Sequence, residues 1–348
     1  MLAIAAVVAA LLDATDAPAA RCGGERPCDC GDKVVEDYTL PASLGPCPKD
    51  GLRIEGRLTF DGGGHVIRGS GSTGTGLRIG TEGSGAKITN LTVTGFEHGI
   101  RLIGARDVEI SDVEAQGNGD RGPGEGYGID LSLAASDNTI ERARVHHNAD
   151  EGIHVGTDAA RNRIRDSQIF ENARENVYFL ACKDNRLERS KVYGSGAGHA
   201  SVYVKFATGT VLEGNTVEDG VIQIRGGARD TLLVGNTLRG GSVVLQEQND
   251  RRFGPGKPSG TTVRGGSITA SGACVRIDSA SATRIEDVDL DCNEGVRVAA
   301  GNRVAVRLPA GAKGKLPVRC VGGGDCFERL PSAASASASA AKAPAARK

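Results

Sequence analysis

The sequence predicts an all-β chain folded as a single-stranded right-handed parallel β-helix, a solenoid of about ten coils with an N-terminal cap. Three observations lead there. Six short β-like segments recur: Tyr127-Gly-Ile-Asp-Leu131, Glu151-Gly-Ile-His-Val155, Glu175-Asn-Val-Tyr-Phe179, Ala200-Ser-Val-Tyr-Val-Lys205, Gly220-Val-Ile-Gln-Ile-Arg225 and Gly241-Ser-Val-Val-Leu-Gln246. Between their first inward aliphatics the offsets are 24, 24, 25, 20 and 21 residues. The segments also alternate, so that Ile129, Ile153, Val177, Val202, Ile222 and Val243 form one inward ladder and Leu131, Val155, Phe179, Val204, Ile224 and Leu245 a second. Finally, the 348 residues include no Trp, one Met and 51 Gly, about twice the usual glycine share of about 7%. Such a composition cannot build one large aromatic core, but it suits a thin aliphatic core punctuated by turns, and so one elongated domain.

Taken in order, the chain begins with an apolar run, Leu2 to Leu12, followed by the small residues Ala17-Pro-Ala-Ala20. Residues 1–20 are therefore expected to be a signal peptide, and the protein secreted or periplasmic. No segment is long enough to span a bilayer. Cys22 follows Arg21, not the small residue that a lipoprotein signal places before its cysteine.

Residues 21–70 read as a disulfide-bonded cap, because Val34–Leu40, Gly51–Glu55 and Leu58–Ile67 alternate like short strands between Pro/Gly turns. A stack of strands needs its end covered. Residues 71–330 carry the coils, interrupted by a long polar loop at Glu247–Ser259, and residues 331–348 read as a disordered Ala/Ser-rich tail. Nine cysteines fit an oxidising compartment. Their spacing predicts Cys30–Cys47, Cys274–Cys292 and Cys320–Cys326 bridges and leaves Cys182 as a buried free thiol. Asn138, Asn162 and Asn185 each stand two residues before an apolar position, and Asn215 and Asn236 sit in Gly-Asn-Thr turns. Stacked, they are expected to form structural ladders.

Stacking also brings outward residues together. Asp130, His154, Tyr178, Tyr203 and Gln223 fall in one outward column, and Lys205, Arg225 and Gln246 in the next, so one face gathers polar and aromatic side chains from consecutive coils. A third set two residues ahead of the inward ladder begins Tyr127, Glu151, Glu175. The net charge is −1, and loss of residues 1–20 with Asp13 and Asp16 moves it to +1. No basic stripe for nucleic acid emerges from that balance.

Asn148-Ala-Asp-Glu-Gly-Ile-His-Val155 and Asn172-Ala-Arg-Glu-Asn-Val-Tyr-Phe179 resemble the repeats of bacterial right-handed parallel β-helix proteins of pectate-lyase-like fold, over about residues 50–305. Within them, Val204–Gly227 followed by Gly235-Asn236 is similar to the chondroitinase B and alginate lyase family. That resemblance implies Lys205 as the base and Arg225 as the acid or charge stabiliser of a β-elimination on uronate polysaccharide. It also implies Ca²⁺, for which Glu175 and Asn176 are substitute ligands, since Gly198 and Ala200 stand where acidic residues are expected. Tyr127-Gly-Ile-Asp130 is similar to the start of the mannuronan C5-epimerase signature Tyr-Gly-Phe-Asp-Pro-His-Glu, with Leu131 and Ser132 in place of Pro and His. His154, one coil on, would restore an acid/base pair with Asp130. Tyr178 and Tyr203 would stack on sugar rings, with Gln223 and Gln246 as further binding residues. The alternative is a non-catalytic periplasmic or cell-surface scaffold that holds an anionic glycan on the same face.

Overall fold

The computed structural model describes residues 19–71, 73–119, 126–307, 309, 318–322 and 325–331. The expected signal peptide, but for its last two residues, and the expected Ala/Ser tail, but for its first, lie outside them. Within the described residues, three short strands make each coil. In one, Ile153–Val155, Arg163–Arg165 and Gln168–Phe170 are followed a coil later by Val177–Leu180, Arg186–Glu188 and Lys191–Tyr193. Corresponding strands pair in parallel, with Ile153 on Val177, Ile164 on Leu187 and Ile169 on Val192. The result is a β-solenoid whose first face is a fourteen-stranded parallel sheet.

The stack is thus somewhat longer than about ten coils. Arg21–Cys22, Lys33–Val34 and Leu52–Ile54, from the stretch expected as a cap, add strands to the same sheet. All twelve residues of the two inward ladders are at most 1% exposed, as two-residue alternation in a sheet with one buried face requires. The coil corners are tight: a Cβ on Gly152 would lie 2.6 Å from the Asn176 carbonyl oxygen. The bend between the second and third strands takes a left-handed residue, such as Asp112, Asp166 or Gly214. Where it is Arg142 or Arg189, the guanidinium makes a two-pronged ion pair with Asp112 or Asp166 of the neighbouring coil.

The asparagines stack as expected. Asn138 Nδ2 donates to Asn162 Oδ1 at 2.8 Å, and Asn162 Nδ2 to Asn185 Oδ1 at 3.0 Å. Each acceptor oxygen also takes a backbone N–H of the coil before, so buried polar groups that would otherwise be orphaned are paired. The three expected disulfides are formed, together with Cys22–Cys28, and Cys182 is buried and free. Inside the Glu247–Ser259 loop, Gln248–Asp250 and Gly254–Gly256 pair antiparallel as a hairpin. No helix among the described residues is long and apolar enough to cross a membrane.

Candidate functional site

The outward column of the fourteen-stranded sheet sets Asp130 beside His154, then Tyr178, Tyr203 and Gln223, one per strand. Asp130 is 1% exposed and carries three partners. Arg101 Nε donates to Oδ2 at 2.8 Å, Ser132 Oγ donates to Oδ2 at 3.0 Å, and His154 Nδ1 lies 2.9 Å from Oδ1. Burial opposes the carboxylate charge, but the His154 hydrogen bond and the Arg101 charge outweigh it and hold the Asp130 carboxyl below its usual range. Against a carboxylate, Nδ1 is the donor, which leaves Nε2 of a neutral imidazole as a lone pair with no hydrogen-bond partner among the described residues. Gly156 makes room for this ring, since a Cβ there would lie 2.8 Å from His154 Cε1.

Around His154 the rings form a ladder. His98, Tyr127, His154, Tyr178 and Tyr203 follow one another with centroids 5.1, 4.7, 5.7 and 5.0 Å apart. Tyr178 and Tyr203, expected to stack on sugars, stack on each other. The Tyr178 ring lies flat on Tyr203 on one side and meets a tilted His154 ring on the other, so what it offers a ligand is mainly an edge. The Tyr203 hydroxyl is itself engaged, donating to Gln248 Oε1 at 2.8 Å.

Beside the ladder lies a buried acidic cluster, of which the sequence singled out only Glu175, as a substitute Ca²⁺ ligand. Asp150, Glu151 and Glu175 are buried around Arg174, whose guanidinium nitrogens lie 3.2, 3.6 and 3.6 Å from them. Desolvation, reinforced by the Asp150 charge, pushes the Glu151 carboxyl up to about 8, and its Oε2 has no hydrogen-bond partner. These residues do not fit Ca²⁺, which needs six to eight oxygens. His199 Nδ1 bonds Glu175 Oε1 at 3.1 Å. Asn176 is consumed by the Asn ladder, accepting from Asn172 and donating to the Tyr193 carbonyl. Arg174 already supplies the cation there, and no cluster of three His, Cys, Asp or Glu among the described residues is arranged to hold a metal.

Lys205, Arg225 and Gln246 are register neighbours on the sheet, yet their surroundings differ from those of a base and an acid. The hairpin lies over them. Asp250 Oδ2 is 2.7 Å from Lys205 Nζ, whose side chain is 13% exposed, and Phe253 packs on Phe206 with centroids 5.0 Å apart. The Lys205 hydrogen bond is the main reason the Asp250 carboxyl falls to about 2. Through this pair Lys205 ties the sheet to the hairpin. Arg225 donates to Gln246 Oε1 at 2.6 Å. Asp250 and Gln248 were invisible as site residues in the sequence, because their loop lies outside the repeat.

Residues 75–238 match the family described as right handed beta helix region. No curated protein matches the chain. Among solved structures it is similar to the Dettilon tailspike protein gp208, at 17% identity over 79% of this chain and 57% of that one, with a TM-score of 0.52. It therefore spans little more than half of that protein's length. It is also similar to the periplasmic alginate epimerase AlgG, 13% identical over 74% of this chain and 77% of that one (TM-score 0.48). The alginate lyase from Paenibacillus sp. str. FPU-7 is 18% identical over 79% and 95% (TM-score 0.41). At these identities the likeness is one of fold. Parallel three-strand coils, inward aliphatic ladders and the match over residues 75–238 lead to one conclusion: the chain folds as a right-handed parallel β-helix, and those coils resemble the right handed beta helix region family.

Proposed function

We propose that this protein acts on an anionic, uronate-containing polysaccharide by moving the proton at C5 of a uronate, with His154 as the proton-transfer group and Asp130 as the residue that positions it. The observation behind this reading is the 2.9 Å contact between His154 Nδ1 and Asp130 Oδ1, which leaves Nε2 unpartnered on the glycan-facing side of the sheet. Arg101 shares the same carboxylate through Nε alone, so its terminal nitrogens remain for the carboxylate of the sugar. Neutralising that carboxylate is what makes the C5 proton removable.

In the step proposed, Nε2 takes the C5 proton and the electron pair of the broken C–H bond spreads into the sugar carboxyl group, held by Arg101. The imidazolium is stabilised by Asp130. From that intermediate, breaking C4–O while the imidazolium passes its proton to the departing oxygen gives an unsaturated uronate, whereas a proton taken by C5 from water on the opposite face, with the imidazolium returning its own to the resulting hydroxide, gives the epimer. His154 thus replaces the histidine missing after Tyr127-Gly-Ile-Asp130. The four disulfides support an exported location, secreted or periplasmic.

A second reading, a glycan-binding scaffold without turnover, is favoured by one observation: the dyad lies on a sheet face, and the three open depressions of about 410, 450 and 370 Å³ are not lined by His154 or Asp130. Incubation with alginate, pectate and glycosaminoglycans in D₂O separates the two. Ultraviolet absorbance reads elimination, and deuterium at C5 reads epimerisation. Either signal, abolished in His154→Gln, is the expected result. Neither signal from any polymer, with binding that still weakens in Arg101→Ala, would leave the scaffold.

A further inference from the structure

The register that builds the dyad also lines up cations on both sides of it. In the same outward column, Arg21, Lys33, Arg53, Arg78 and Arg101 precede Asp130 on consecutive strands. Beyond Val244 the column continues as Arg276, Arg297 and Arg319. The balanced net charge hides this stripe, because the acids lie to either side of it. Two of the open depressions sit on it. One, of about 450 Å³, is lined by Arg53 and Arg78 with Glu55 and Glu82. The other, of about 370 Å³, is lined by Arg276 and Arg297 with Asp219 and Glu294.

We infer that the column is a track for a long, extended polyuronate, with an arginine-lined subsite on each side of His154. The inference rests on the function proposed above and specifies the length and charge spacing of its substrate. At about 4.8 Å per strand, Arg78 and Arg297 stand roughly 40 Å apart on opposite sides of His154, so a disaccharide over the dyad reaches neither and a polymer reaches both. One cation per strand at the stripe's two ends matches a chain with one carboxylate per sugar. The flanking acids decide against nucleic acid. They repel a densely charged phosphate backbone, yet they accept hydrogen bonds from sugar hydroxyls, which a polyuronate has in abundance. The cations are available to a ligand. Arg78 and Arg297 have no ion-pair partner within 4.0 Å among the described residues. The pairs Arg53–Asp50, Arg276–Asp278 and Arg319–Glu294 hold guanidiniums whose side chains are 40%, 44% and 61% exposed, and such pairs are weak enough to exchange.

The test compares polymer with disaccharide in the wild type and in Arg78→Glu/Arg297→Glu, a double variant that strands no acid partner. We expect KM for the polymer to rise roughly tenfold in the double variant, with the disaccharide KM unchanged and kcat unchanged for both. Equal KM values for polymer and disaccharide in the wild type, or a polymer KM indifferent to the double variant, overturns the track while leaving His154 chemistry intact. If no His154-dependent product forms at all, the function fails instead. The track is then read by binding of fluorescently labelled polyuronate, which should weaken by the same factor. Single-stranded DNA of equal length competing as well as the polyuronate would overturn the assignment to a uronate polymer.

Discussion

His154 and Asp130 stand 24 residues apart in sequence and 2.9 Å apart at Nδ1 and Oδ1, because one whole coil separates them and the sheet register closes the gap. If Asp130 acts only by fixing the imidazole, Asp130→Asn should lower kcat by about 10²- to 10⁴-fold with little change in KM. Steady-state kinetics on a polyuronate checks this. A raised KM with unaltered kcat would make Asp130 a binding residue.

Glu151 sets a pH dependence of stability. Its folded-state carboxyl titrates at about 8 against an ordinary 4.5, so the unfolded chain releases a proton that the folded chain keeps. Stability present below about pH 4.5 is therefore lost as pH rises toward about 8, and it is flat above that. Glu151→Gln, which cannot ionise, should gain Tm over the wild type progressively between pH 5 and pH 8, read by thermal melts at each pH. A constant difference across that window would contradict the buried-carboxyl account.

Lys205 and Asp250 should behave as a structural tie. Lys205→Met is expected to loosen the 248–256 hairpin and speed its cleavage in limited proteolysis, at a cost of about 1.5–3 kcal/mol for a charge-assisted hydrogen bond. Because Asp250 titrates at about 2 in the fold against 3.8 unfolded, the tie is intact above pH 3.8 and is lost as pH falls through about 2. Loss of all turnover in Lys205→Met with the hairpin still protected would return Lys205 to the chemistry.

The Asn ladder is a stability element with a gradient along it. Asn162 donates to the Ala135 carbonyl and to Asn185, and accepts from the Asn138 backbone and side chain. Asn162→Ala should cost about 2–4 kcal/mol, the sum of several buried groups left unpaired. Asn236, which ends its ladder with one donated bond to the Leu212 carbonyl, should cost less. Denaturant titration of both variants measures the difference.

Much of this was legible in the residues, and what was not has a physical reason. Alternation every second residue and a 20–25-residue period fix which side chains meet inside, so the ladders, the Asn stacks and three disulfides follow from spacing alone. The Asp130–His154 pair follows from the same arithmetic. Asn176 could not be placed by period because it stands one residue after Glu175 of the third set and turns inward to accept from Asn172 of its own coil. Lys205 misled because its partner sits on an irregular hairpin that no period can place. The arginine stripe stayed hidden because it becomes a column only when the terminal coils are aligned with the central ones.

The cysteines are distributed unevenly along the stack. Cys22–Cys28 and Cys30–Cys47 close loops in the first turns, Cys274–Cys292 and Cys320–Cys326 in the last, and among the described residues no disulfide lies between them, where Cys182 is free. A quasi-one-dimensional array ordinarily frays from its termini, where a coil has one neighbour to leave and not two. Each bridge closes a loop inside its own coil, so an end coil that peels away has few open conformations to explore before it docks again. The bridges therefore favour the docked end coils by restricting the opened ones, where a coil has one neighbour to hold it and not two.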